Sequence, residues 1–243
     1  MDVNEVKERA GPREFSPKDD LPEEYREAAT RMLEFHANSE IMGAWLERPF
    51  IRKAPSLERK MAFSAKTQDE IGHGQMLYRA AEALGVKTRE EMLDDLAEGN
   101  GKFLNCFHYP MDSFAETPMI AFFVDGAAMR RQATLQRSSW EPYAHAMDKV
   151  CFEEGFHVKH GEDILRELMT GSKANQERVQ EAFDTWWPRI LQFFGPTDDK
   201  STHNDFSQDV GLKTMSNDEL RNSFLNAYVP KARKYGLELP DTP

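Results

Sequence analysis

Apolar residues recur along this chain at intervals of three and four, and alternation between apolar and polar positions never persists. That pattern predicts helices throughout and an all-α fold. The first long helix is expected to start near Pro22, with Glu23 and Glu24 in its first turn, where the positive end of the helix dipole favours acids. Its apolar positions include Met32, Phe35, Ile41 and Trp45, and it should end before Pro49. Ser56 is placed to cap a second helix, with Arg59 where a capping-box Glu would stand. Met61, Ala62, Ala65, Ile71, Met76, Leu77 and Leu84 give that helix an apolar side, and Gly85 stops it. A short helix is expected over 88–98 and a loop over 99–113.

A third long helix is read over 117–137, with Pro118 near its start and Ile120, Phe123, Val124 and Met129 along it. Ser139 and Pro142 open a fourth, which runs to about Met169 and stops at Gly171. A fifth covers about 173–193, carries Trp186 and Trp187, and contains Pro188 as a potential kink. A loop follows from Gly195, and Ser216 or Asn217 caps a last helix through about Tyr235. Residues 1–20 are polar, with two prolines, and read as a flexible or loosely docked arm. Residues 21–243 then form one domain, with a four-helix core over about 22–170 and additional C-terminal helices over 173–236.

The helical frame gives meaning to a repeated spacing. Glu70 and His73 form a Glu-x-x-His pair in QDEIGHG, and Glu154 and His157 form a second in FEEGFHV. Glu40 lies 30 residues before Glu70, and Asp125 lies 29 residues before Glu154. Residues three apart project from one helix face, so both members of a pair reach one ion. A gap near 30 residues is one helix, a short loop and part of the next. Each half is therefore a helical hairpin, and two hairpins bring four ligand-bearing helices around one centre. A lone Glu-x-x-His carries little weight. Two, each with a matched upstream carboxylate, follow the ligand plan of a carboxylate-bridged two-metal site in a four-helix bundle. The 55 residues between Glu70 and Asp125 require one long crossover, which is the ferritin-like topology. The alternative, buried carboxylates and histidines that only pair with one another, carries a large desolvation cost.

Composition narrows the chemistry. Forty per cent hydrophobic residues in 243 allow a real core, and no apolar run approaches membrane-spanning length. A net charge of −11 argues against nucleic acid as a partner. The charged N-terminus has no apolar stretch to act as a signal peptide, and only two cysteines occur, Cys106 and Cys151. A reducing cytoplasm is expected. Cysteine-free ligation argues against structural zinc or an iron–sulfur cluster, and carboxylates with imidazoles suit iron or manganese. A radical tyrosine is unsupported, since Leu77 stands seven residues after Glu70 and Tyr78 is one position out of phase. Met129, one turn after Asp125, replaces the Thr of the soluble methane and toluene hydroxylases.

The wording around the ligands is more specific than their spacing. HANSEIMG around Glu40, AKTQDEIGHG around Glu70 and His73, FVDGAAM around Asp125 and VCFEEGFHVKHG around Glu154 and His157 resemble the catalytic A subunits of phenylacetyl-CoA epoxidases. So do FGPTDDKS at 194–201, SNDELR at 216–221 and the LPD at 239–241, so the likeness runs from about Leu21 to Asp241. The resemblance implies a ferritin-like di-iron monooxygenase that epoxidises the aromatic ring of phenylacetyl-CoA with O₂, in aerobic phenylacetate degradation. Its two iron ions would be held by Glu40, Glu70, His73, Asp125, Glu154 and His157, which are also the expected catalytic residues. It implies a catalytically inactive helical partner subunit, and a separate reductase that supplies NADPH-derived electrons through flavin and an iron–sulfur cluster. Family members are expected to continue past the closing LPDTP. The alternative reading is a di-iron oxygenase for another aromatic or acyl-CoA thioester.

Several further residues have a functional and a plain reading. Lys66, one turn before Glu70, is a candidate for a CoA phosphate or the thioester oxygen, or else a lysine snorkelling to the surface. His36, one turn before Glu40, is a partner for a ligand or a satisfied core histidine. Asp69 either orients a ligand histidine or forms a salt bridge. Gly126, Ala127 and Ala128 leave room for substrate or pack a helix closely. Arg130, Arg131 and Arg137 attract an anionic CoA or line a solvated face, and Trp186 and Trp187 read as core or interface.

Overall fold

A computed structural model of the chain describes residues 1–201 and 203–240. The α-helices in chain order are α1 (Val3–Arg9), α2 (Glu23–Glu47), α3 (Phe50–Lys53), α4 (Leu57–Glu82), α5 (Arg89–Ala97), α6 (Asp125–Leu135), α7 (Glu141–Met169), α8 (Lys173–Leu191), α9 (Asn204–Asp209) and α10 (Asn217–Lys234). The fold is all-α and ferritin-like, and the described residues contain no named strand. No helix among them is long and apolar enough to cross a membrane.

Start signals act where the sequence places them. The Ser56 hydroxyl accepts the Arg59 amide at α4, and Ser216 with Glu219 forms a full capping box at α10. α7 carries Pro142 in its first turn, and α8 continues through Pro188 to Leu191. α2 runs antiparallel to α4, with Glu47 beside Lys66 and Asn38 beside Tyr78. α4 runs antiparallel to α7, with Arg59 bound to Glu167 at one end and His73 bound to Glu153 further along. α6 pairs with α7, and α8 and α10 cover the outside of that hairpin.

The core is not one continuous apolar volume. One hydrophobic cluster joins Phe63 on α4 to Phe122, Phe123, Ile164, Trp186 and Phe224. The other joins Leu33, Leu77, Tyr78, Trp140, Tyr143 and Leu135. Between them the same four helices bury polar residues: His36, Glu40 and Glu47 on α2, Lys66, Glu70 and His73 on α4, Asp125 and Gln132 on α6, and Glu154 and His157 on α7. The two apolar clusters fasten the ends of the bundle and leave its middle for charge.

Three elements differ from the sequence expectation. The N-terminal segment is not a loose arm. Asp2 caps α1, Val6 and Phe15 are fully buried, and the Phe15 backbone exchanges hydrogen bonds with Ser139 and Glu141 at the start of α7. Two buried apolar side chains, a one-residue bridge and the ion pairs Lys7–Asp209 and Arg13–Asp148 dock it, a signal too sparse to register as periodicity. The third long helix begins as a π-helix over Met119–Val124, all six residues buried. Its backbone lies against Gly161, where an added Cβ would stand 2.3 Å from the Ala121 carbonyl carbon. Finally, α9 occupies residues read as loop and those just beyond. Asp241, the last residue of the LPD motif, lies outside the described residues.

Candidate metal centre

The four middle helices bring Glu40, Glu70, His73, Asp125, Glu154 and His157 into one buried cluster. Two overlapping groups have ligand atoms within 4.8 Å of one another: Glu40, Glu70, His73 and Glu154, then Glu70, Asp125, Glu154 and His157. Glu70 and Glu154 belong to both, so each is placed to bridge two ions. Glu40 and Asp125 each belong to one. The single positions thus fall in one group each, and the glutamates of the Glu-x-x-His pairs fall in both.

Each histidine is turned the same way. His73 Nδ1 lies 3.6 Å from Glu40, 3.5 Å from Glu70 and 3.8 Å from Glu154, and makes no hydrogen bond although it is fully buried. Its Nε2 is 3.0 Å from Glu153. His157 Nδ1 lies 3.3 Å from both Glu70 and Glu154, and its Nε2 is 3.4 Å from Asp69. A carboxylate on Nε2 fixes a proton there and leaves Nδ1 as the inward-facing nitrogen, as metal-binding histidines require. The acid before each Glu-x-x-His serves the histidine of the other pair. Asp69 was a candidate for this task. Glu153 was missed, although the chain shows it: both pairs are preceded by an acid, as DEIGH and EEGFH.

The structure overturns the surface reading of Lys66. Its side chain is buried among carboxylates at the edge of the cluster. It is 2% exposed and its ammonium bonds Glu47, with Glu70 and Asp125 each 3.0 Å away. Glu47 was also missed; it stands two turns after Glu40 on the same face of α2 and is 1% exposed. Burial raises Glu47 to about 7 despite Lys66, which is shared among three carboxylates. Those carboxylates, above all Asp125 and Glu47, hold Lys66 well above its usual range in spite of its burial. Replacing Lys66 by Met should therefore cost the metal-free protein about 3–5 kcal/mol, because it leaves a buried acid unpaired. Urea unfolding is the measurement. Adding Glu47→Gln should return part of the loss, and equal stability of Lys66→Met and the parent would refute the pairing.

Burial raises Glu40 and Asp125 to about 7, with neighbouring carboxylates adding to it. Burial would lower the two histidines, but the carboxylates around them dominate and raise His73 to about 12 and His157 to about 11. The cluster thus retains protons at neutral pH that a divalent cation would displace.

Beside the cluster is a small cavity of about 30 Å³, bordered by Leu104, Phe107, Ile120, Val124 and Phe193. Arg131 lines this cavity and also a larger open cleft of about 530 Å³. Arg31, Lys87, Lys102 and Lys213 line the same cleft. Arg131 is therefore the member of the arginine set that reaches a cavity. Ala128 borders the inner cavity, whereas a Cβ on Gly126 would fall 2.2 Å from the Tyr228 ring and hydroxyl, so Gly126 serves close packing of α6 on α10. Trp186 and Trp187 are core, with the Trp186 indole donating to Glu116.

Fold and site together define a ferritin-like helical bundle with a buried carboxylate–histidine cluster compatible with a two-metal centre. Within that class, residues 2–243 match the profile of the phenylacetic acid catabolic protein family, and the chain belongs to that family. It is 41% identical over 227 residues to the A subunit of the 1,2-phenylacetyl-CoA epoxidase of Escherichia coli strain K12, covering 93% of this chain and 73% of that protein.

Proposed function

We propose that this chain is the oxygen-activating subunit of a multicomponent di-iron monooxygenase that epoxidises the aromatic ring of phenylacetyl-CoA. The observation that carries this reading is the convergence of six carboxylate and histidine ligands, with an orphaned imidazole nitrogen among them, in a chain of this family. The donor set suits two iron ions: oxygen and imidazole donors with positions left open. Glu40, Glu70, His73 and Glu154 would hold one, and Glu70, Asp125, Glu154 and His157 the other. Bound there, reduced iron would supply the O₂ activation that no amino-acid side chain can provide.

The chain's own residues do the rest. Asp69 and Glu153 hold the Nε2 protons of the histidines. Lys66 balances the charge of Glu47 and restrains Glu70 and Asp125. Leu104, Phe107, Ile120 and Phe193 give the inner cavity an apolar wall, which would have to widen from about 30 Å³ to admit an aromatic ring. The cleft beyond Arg131 offers Arg31, Lys102 and Arg131 to the phosphates of CoA, while its Lys87 is paired with Glu34 and Asp95. Lys102→Glu is expected to raise KM for the CoA thioester several-fold with little change in kcat; an unchanged KM would remove the cleft from the reading.

Metal analysis tests the centre itself. Protein from iron-replete cells should hold two irons per chain. Loading the metal-free protein should release protons, and affinity should rise with pH through 7, because Glu40, Asp125, His73 and His157 must all give up protons to bind. A single zinc with sulfur ligation in X-ray absorption would end this reading.

A further inference from the structure

Glu40 differs from the other carboxylates of the cluster in having one oxygen fully engaged by neutral donors. His36 Nε2 is 2.8 Å from Glu40 Oε1, and the Gln132 amide donates to the same oxygen at 3.2 Å. Glu40 Oε2 is the atom that faces His73. Behind His36 stands Tyr143, whose hydroxyl is 2.8 Å from His36 Nδ1 and whose ring meets the imidazole edge-on. Tyr143 is fully buried and His36 is 7% exposed.

With a neutral His36 ring and an ionised Glu40, one arrangement of protons satisfies this chain of contacts. The Tyr143 hydroxyl donates to His36 Nδ1, which leaves the His36 proton on Nε2, where it donates to Glu40 Oε1. The reverse tautomer would point a lone pair at a carboxylate. The chain of hydrogen bonds ends at Tyr143 inside the apolar cluster, so it does not lead protons to solvent. What it can do is orient Glu40.

We propose that Tyr143 and His36 are positioning residues that restrict Glu40 to binding metal through a single oxygen, Oε2. The inference rests on the reading of Glu40 as a metal ligand. It distinguishes the Glu40 side of the centre from the Asp125 side, where Lys66 holds the carboxylate in place of a tyrosine–histidine pair. Two-oxygen binding by Glu40 would fill a position on its ion, so the restriction keeps that position open.

The test uses cobalt(II) as a probe in the full-length, metal-free chain, with affinity from chelator competition and geometry from the visible absorption band. His36→Leu should weaken one of the two binding events about 10–100-fold and shift the band. Tyr143→Phe should shift the band in the same direction with a smaller loss of affinity. His36→Gln, which keeps an amide donor within reach of Glu40, should restore most of both. If His36→Leu fails to fold, Tyr143→Phe, which removes one oxygen from a ring that stays packed, decides alone. Variants that bind cobalt with the parent affinity and band, even with a lowered melting temperature, overturn the inference. A parent chain that takes up no cobalt would instead overturn the metal-site reading.

Discussion

Glu154→Ala is expected to reduce turnover below detection while leaving most of the helicity intact. Glu154 belongs to both ligand groups, so its loss weakens both ions at once, where loss of Glu40 or Asp125 would weaken one. It also holds His157 Nδ1 within α7 and accepts from Gln132 on α6, so its removal loosens the contact between those two helices. The fold should survive because the two apolar clusters that fasten the ends of the bundle do not include it. Iron content and circular dichroism separate the two effects. The expected result is helicity near that of the parent with iron well below two per chain. Full activity at normal iron content would show that Glu154 is not a ligand.

The second large effect concerns the source of electrons. The sequence has two cysteines, one of them buried, and no Gly-x-Gly-x-x-Gly turn, so it carries no flavin, nicotinamide or iron–sulfur signature of its own. Iron held in the proposed centre would have to be reduced before O₂ could bind. The purified chain supplied with NADPH, O₂ and phenylacetyl-CoA should therefore form no product. Together with its helical partner and a reductase it should place one atom of O₂ in the aromatic ring. Mass spectrometry after reaction under ¹⁸O₂ reads this directly. Unlabelled product from the complete system, or labelling of free phenylacetate as readily as of the thioester, would count against an acyl-CoA epoxidase.

The sequence by itself determined the helices and singled out the six side chains that the fold brings together. Caps such as Ser56 and Ser216 act on the residues next to them, and a three-residue spacing on a helix fixes a shared face wherever that helix is placed. That is why Glu70 with His73 and Glu154 with His157 were legible as pairs, and why two matched upstream carboxylates implied four helices around one centre. What only the tertiary structure decided lies between elements distant in the chain. Lys66 looked like a surface or substrate lysine because its own helix says nothing about Glu47 and Asp125, which reach it from α2 and α6. Glu153 and Asp69 cross over to the opposite histidine, and Tyr143 stands 107 residues from His36. The N-terminal segment docks through Val6 and Phe15, and the π-helix at Met119–Val124 lies against Gly161. Local propensity sees only a residue's own neighbourhood, whereas a buried charge is governed by whatever the packed fold sets against it.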